Sequence, residues 1–189
     1  MSIFFVVLIV VILLVLWIVG SYNSLIKFRN RAQEAWGDID VQLKRRYDLI
    51  PNLIETVKAY TKHERDTLEA VTKARTAAMS AKSPEAKGQA ENMITEALKS
   101  IFAVAENYPE LKASDNYRQL QDELTDTEDK IEAARRFYNG NVRDLNTALQ
   151  TFPTNIIGSS FHLEPMNLFS ATDPEREVPK VSFTDSDGK

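Results

Sequence analysis

The sequence predicts an all-α protein: an N-terminal transmembrane helix followed by an up-down-up-down bundle of long antiparallel helices. Three observations carry this. Residues Ile3 to Val19 form an apolar run with no charge, proline or glycine. The following stretches are rich in Ala, Glu, Lys, Leu and Arg, with apolar residues recurring at three- and four-residue steps. No alternating, strand-like pattern of useful length precedes the C-terminal tail, where Pro165, Pro174 and Pro179 lie.

The apolar run of about 17 residues reaches ~25 Å as a helix, the short end of what crosses a hydrocarbon core. Trp17 and Tyr22 are amphipathic rings suited to the headgroup level. A cleaved signal peptide would carry a basic leader and small residues before the cut. The chain opens Met1-Ser2-Ile3 instead, and Val19-Gly20-Ser21 is a weak cleavage-like site. Without cysteine there is no lipoprotein anchor. Residues 1–21 are therefore expected to be an uncleaved, single-pass anchor contacting the bilayer through residues 3–19. Lys27, Arg29 and Arg31 follow the span before the first acid, Glu34, and no basic residue precedes it. The positive-inside bias then places the N-terminus outside and the body in the cytoplasm.

The bundle domain is expected over residues 22–153. Leu25, Phe28, Ala32, Trp36, Ile39, Leu43, Ile50, Leu53, Ile54 and Val57 mark one stripe of a first helix ending near Tyr60. Pro51 lies inside it. It lacks an amide proton and crowds the preceding turn, so a kink or break is expected near Leu49-Ile50. Thr61 and Glu64 fit a capping box for a second helix reaching about Ala81. Ser83-Pro84-Glu85 places an N-cap, a first-position proline and a first-turn acid at the start of a third helix. Tyr108-Pro109 ends it, and Ser114 is in place to cap the fourth. In that last helix Tyr117, Leu124, Ile131, Tyr138, Leu145 and Phe152 stand seven apart, a near-heptad seam of coiled-coil type. Pro153 stops it.

Element lengths shape the architecture. The first and fourth helices have roughly 38 residues, ~57 Å, and the second and third roughly 20–25, ~30–38 Å. The short pair then covers only the membrane-distal half. Near the membrane Phe28, Trp36, Tyr138, Leu145 and Phe152 need another cover. Either the irregular tail of residues 154–171 supplies it, through Ile156, Ile157, Phe161, Met166, Leu168 and Phe169, or a second copy does. The second option makes the protein a homo-oligomer. Residues 172–189, with Pro174 and Pro179 among scattered charges, are expected to be mobile.

Composition excludes several functions. The net charge is −4 over 189 residues, which argues against a nucleic-acid binder. The absence of cysteine removes disulfides, thiolate metal sites and a Cys nucleophile. His63-Glu64 lacks the second histidine of a zinc-protease helix, because position 67 is Thr. A di-iron bundle needs two Glu-x-x-His units. The only histidines are His63 and His162, and Tyr60 and Ser159 stand where the glutamates belong. No Gly-rich loop suits phosphate. No catalytic residue, metal or cofactor is assigned, and an enzyme is not expected.

Two constellations remain as candidate interaction sites. Lys44, Arg45 and Arg46 form the densest basic patch of the body, read as a solvated, ion-paired face or as a docking site. Being ~33 Å above Tyr22 along an upright helix, it is too far for lipid contact. Glu128, Arg135, Tyr138, Asn139 and Asn146 lie on or beside the seam of the fourth helix. They either fix helix register or recognise a partner helix. Phe28 and Trp36 read as packing or interface aromatics.

Several motifs occur in series: Tyr22-Asn23; Gln42-Leu43-Lys44-Arg45-Arg46-Tyr47-Asp48-Leu49-Ile50-Pro51-Asn52-Leu53; His63-Glu64; Ala74-Arg75; Glu106-Asn107-Tyr108-Pro109-Glu110-Leu111-Lys112; Thr127-Glu128; Ala134-Arg135; Tyr138-Asn139; Asn146; and Phe152-Pro153. Together they resemble the LemA family of bacterial membrane proteins over nearly the whole chain. The resemblance implies an N-terminal anchor and a helical-bundle body, with no established activity. Family members are often encoded near membrane peptidases or other envelope proteins, and some relatives help organise magnetosome membranes. The expected function is thus a self-associating, membrane-anchored scaffold or adaptor. A regulatory or docking partner of a membrane peptidase is the alternative.

Overall fold

A computed structural model describes residues 2–169 of the chain. The expected mobile end, 172–189, and the last two residues of the 154–171 tail lie outside that range. Among the described residues there are six helices and no strand. They are α1 (Ser2–Tyr60), α2 (Arg65–Ser80), α3 (Pro84–Ala105), α4 (Pro109–Ala113), α5 (Asp115–Gln150) and α6 (Thr154–Ser160). The chain runs up α1, down α2, up α3 and, after the single turn of α4, down α5.

The first helix is longer than expected. The apolar N-terminal segment and the first body helix are one uninterrupted α-helix of 59 residues, about 88 Å. Its N-terminal part is long and apolar enough to cross a membrane, and none of that part is buried against the rest of the chain. From Leu25 onward α1 turns an apolar stripe inward: Leu25, Ala32, Ala35, Ile39, Leu43, Ile50, Leu53 and Val57 are all buried.

Of the kink or break expected at Pro51, the break does not occur: the helix passes through the proline. A proline leaves the carbonyl four residues earlier without its helical donor. Here that carbonyl belongs to Tyr47, and the Arg75 Nε of α2 donates to it at 2.8 Å. The missing intrahelical bond is replaced across the bundle, and the helix continues.

The loop after α1 also corrects an expectation. The Thr61 hydroxyl donates back to the Val57 carbonyl rather than capping α2. Glu64 occupies the N-cap position without a side-chain cap bond and accepts instead from the Tyr108 hydroxyl at 3.1 Å. The third helix starts as expected, with Ser83 Oγ accepting from the Ala86 amide. Ser114 sits at the N-cap of α5 but makes no side-chain cap bond.

The core is one cluster fed by every long helix: Ile39, Leu43 and Ile50 of α1, Val71 of α2, Ile94 and Ile101 of α3, and Leu124 and Ile131 of α5. Burying each such side chain contributes ~1.5–3 kcal/mol. The α1–α5 pair has a simple register. Trp36 meets Tyr138 with ring centroids 5.3 Å apart, and ten residues further along each helix Arg46 meets Glu128.

At the lower end of that pair, α6 folds back beside α1 and α5. Gly158 permits the approach: a Cβ there would stand 2.7 Å from Leu149 Cδ2. The exit from α6 is a complete Schellman turn. His162 takes the left-handed backbone position at φ 52°, its amide donates to Ser159, and the Leu163 amide donates to Gly158. Phe152, expected on the buried seam, instead lies past the end of α5 and is 75% exposed.

Candidate functional site

Two assemblies concentrate the polar chemistry of the body. The first is a buried charge cluster between α1, α3 and α5. Arg46 is only 2% exposed, because spacings of four, three and four from Ile39 through Leu43 and Arg46 to Ile50 put it on the inward stripe. Its Nη1 lies 3.2 Å from Glu91 Oε2 and 2.7 Å from Glu128 Oε2. The approach to Glu128 is an electrostatic contact without hydrogen-bond alignment, and the Arg46 Nε finds no acceptor. Nη2 donates to Thr95 Oγ1 at 2.9 Å. The single Thr95 proton then has Glu128 Oε1 at 3.1 Å or the Glu91 carbonyl at 3.2 Å. The Tyr47 hydroxyl donates to Glu91 Oε1.

Burial governs the titration of this cluster. Desolvation raises the Glu91 carboxyl above the ordinary carboxylate range, against the opposing pull of the Tyr47 hydroxyl and the Arg46 charge. Desolvation, together with the Glu91 hydrogen bond, pushes the Tyr47 phenol far above its usual value. A cavity of about 180 Å³ lies beside Arg46, Thr95 and Glu128, with Leu98, Phe102 and Leu124 as its apolar walls.

The second assembly is a latch that holds the tail, residues 161–169, against α5. Asn139 and Asn146 are seven apart, two turns along one face. The Asn146 side chain donates to the Met166 carbonyl and accepts from the Met166 amide, both at 2.9 Å. Asn139 treats Phe169 alike, at 3.0 and 2.8 Å. Two turns of helix advance ~10.5 Å, and three residues of extended chain cover nearly the same length. The two clamps therefore stay in register. Between them the Tyr138 hydroxyl donates to the Asn167 carbonyl at 2.8 Å. Phe169 is fully buried. Its ring centroid is 5.9 Å from that of Trp36, and the Arg135 guanidinium lies over the ring at 5.0 Å. Lys87 reaches Trp36 from α3 at 5.8 Å and pairs with Asp40 at 2.9 Å.

The sequence-derived candidates divide accordingly. Arg46 and Glu128 come together in the cluster, and Trp36, Arg135 and Tyr138 come together at the latch. Lys44 is exposed and Arg45 reaches only Glu123, at 3.7 Å. Phe28 is half-buried on α1 below the latch. The basic patch is therefore not a continuous face: Arg46 is turned into the core and unavailable for docking. Sequence reasoning missed Tyr47, Arg75, Glu91 and Thr95. Spacing could have found Glu91, which stands three and seven residues before the buried Ile94 and Leu98. Of the two covers considered for the proximal seam, the tail provides one. Among the described residues no group of three or more His, Asp or Glu side chains is placed to hold a metal ion.

Comparison with known proteins identifies relatives of the chain. The chain is 32% identical over 163 residues to Protein LemA of Metamycoplasma hominis, which covers 84% of this chain and 73% of that protein. The LemA family profile matches residues 35–183, a span containing both the cluster and the latch. By its sequence and by the extent of that match, the chain belongs to the LemA family.

Proposed function

We propose that this protein is a single-pass, membrane-anchored scaffold or adaptor with no catalytic role, whose body is held rigidly at the cytoplasmic face. One observation carries the reading: α1 runs without a linker from an unburied apolar segment of membrane-spanning length to the far end of the bundle. Every large apolar residue from Ile3 to Leu16 is at least 43% exposed. A continuous apolar surface of that size is stable only in lipid or against other apolar partners. The buried cluster and the latch both serve stiffness, since each ties distant segments together without presenting a nucleophile or a proton donor to solvent. Lys27, Arg29 and Arg31 support the cytoplasmic orientation. The tail covers the seam at Trp36 and Tyr138 within one chain, while Phe28 stays half-buried and Phe152 exposed, so self-association is not needed to cover that upper part of the seam.

The test uses the absence of native cysteine. Lys82→Cys places a thiol in the exposed turn between α2 and α3. Intact cells treated with a membrane-impermeant maleimide should leave it unlabelled until lysis. Labelling before lysis would put the body on the envelope side and make envelope proteins, peptidases included, the partners to examine.

A further inference from the structure

The lower end of the bundle carries apolar side chains that the fold leaves in the open. Phe152 is 75% exposed, Ile156 54% and Phe161 51%. They come from just past the end of α5, from α6 and from the start of the tail, and Phe152 and Phe161 reach one level. The Phe161 ring packs on Tyr22, with centroids 4.6 Å apart. The α1–α5 register, carried down from Trp36 and Tyr138, sets Gln150 opposite Ser24, and Phe152 follows two residues later.

That level is the one at which α1 leaves its apolar segment. Tyr22 stands three residues past Val19, about 4.5 Å along the axis, and the headgroup layer of a bilayer leaflet is roughly 5–8 Å deep. Composition agrees with the position. From Leu145 to Leu163 the chain contains no Asp, Glu, Lys or Arg; it consists of apolar, aromatic, Ser, Thr and Asn residues with one Gln, Pro, Gly and His. Just above, Lys27, Arg29 and Arg31 stand about 12–18 Å from Val19, and Arg143 is level with Arg31 in the same register. The nearest of these charges lie within a Debye length, ~8 Å, of the lipid phosphates.

We propose that the α5–α6 corner and α6 form a second membrane contact, an interfacial floor that lies in the headgroup layer beside the emerging anchor. Its occupant is the bilayer surface, with Phe152, Ile156 and Phe161 immersed at the depth where amphipathic and aromatic side chains are favoured. The proposal rests on the reading of α1 as a membrane span. It adds that the body touches lipid at two places and so cannot swing or spin freely about its anchor.

The test keeps the chain whole. Single cysteines at Ile156, Ser160, Lys82 and Leu8 are labelled with an environment-sensitive fluorophore, and each protein is reconstituted in phosphatidylethanolamine–phosphatidylglycerol vesicles. Nitroxide lipids carry the quencher at either the headgroup or mid-chain. Helicity by circular dichroism confirms that each variant is folded. The expected result is blue-shifted emission at 156 and 160, quenched by the headgroup nitroxide several-fold more than at 82, with position 8 quenched from mid-chain. Phe152→Asp should weaken the headgroup quenching at 160. Unquenched, water-like emission at 156 and 160 beside a quenched position 8 would overturn the floor and leave the anchor standing. Blue-shifted but unquenched emission there would assign the face to a protein contact and overturn the proposal. An unquenched position 8 would remove the anchor reading and the floor with it.

Discussion

At the scale of single residues, the buried arginine decides most. An arginine stripped of water and bracketed by Glu91 and Glu128 is worth little as a net stabiliser, but removing it strands charge in the core. Arg46→Met is expected to destabilise the body by ~3–5 kcal/mol, measured by urea unfolding in detergent. Adding Glu91→Leu should restore much of that loss; an additive double variant would contradict the coupling. Glu91 also predicts a pH dependence. Its folded-state pKa lies above the unfolded value of ~4.3, so the folded state holds the proton more tightly. Stability from this group is fully present below that pH and is lost as pH rises through the folded pKa. Glu91→Gln removes the titration. The wild type should therefore lose stability relative to that variant as pH rises from about 4, and two parallel curves would show that Glu91 does not titrate between the states. Arg46 was misread because Lys44 and Arg45 beside it form a charged run, whereas its spacing from Ile39, Leu43 and Ile50 already placed it inward. What the spacing could not supply was Glu91 as its acceptor, since that pairing depends on how α3 lies against α1.

At the scale of elements, helices and their periodicity were legible and their joints were not. Ser83 capped α3 as its motif indicates, and the heptad seam of α5 held from Tyr117 to Leu145. The Thr61–Glu64 box failed because each side chain found a different acceptor or donor, one of them 44 residues away in Tyr108. Pro51 shows the same limit: whether a proline breaks a helix depends on who satisfies the orphaned carbonyl, and Arg75 is invisible to local reading. Arg75→Ala should leave the Tyr47 carbonyl without a donor and cost ~1–3 kcal/mol. In a Pro51→Ala background, which restores the backbone donor, the same substitution should cost clearly less; equal losses would assign Arg75 another role. The latch makes a local prediction. Asn139→Ala removes both bonds to Phe169, and Asn146→Ala both bonds to Met166, each bond contributing about 0.5–1.5 kcal/mol. Hydrogen exchange at those two amides should accelerate in the matching variant, with the α5 amides below them unchanged.

At the scale of the whole molecule, the fold class and a long apolar N-terminal helix were readable from hydropathy and element lengths. The tail as cover for the proximal seam was one of two options, because nothing local tells an asparagine that clamps an extended segment from one that faces water. The continuity of α1 was not foreseen, since the apolar segment 1–21 and the first body helix were read as separate units meeting at residue 22. No residue from Ile3 to Gly20 is buried against the body, so deleting this segment should shift the melting midpoint by less than about 2 °C when both proteins are measured in one detergent. A larger drop would show the segment packing on the bundle. An unbroken helix also fixes an angle. Each residue turns the axis by about 100° and advances it ~1.5 Å, so the azimuth of the bundle about the anchor is written in the residue count between Val19 and Leu25. One alanine inserted there would rotate the body by over a quarter turn relative to the apolar N-terminal segment. Seven would return it to within ~20° while raising it ~10.5 Å. Height and heading are therefore inseparable in this molecule, and chain length can change in that stretch with little turning of the body only by near-whole numbers of helical turns, such as about seven or eleven residues.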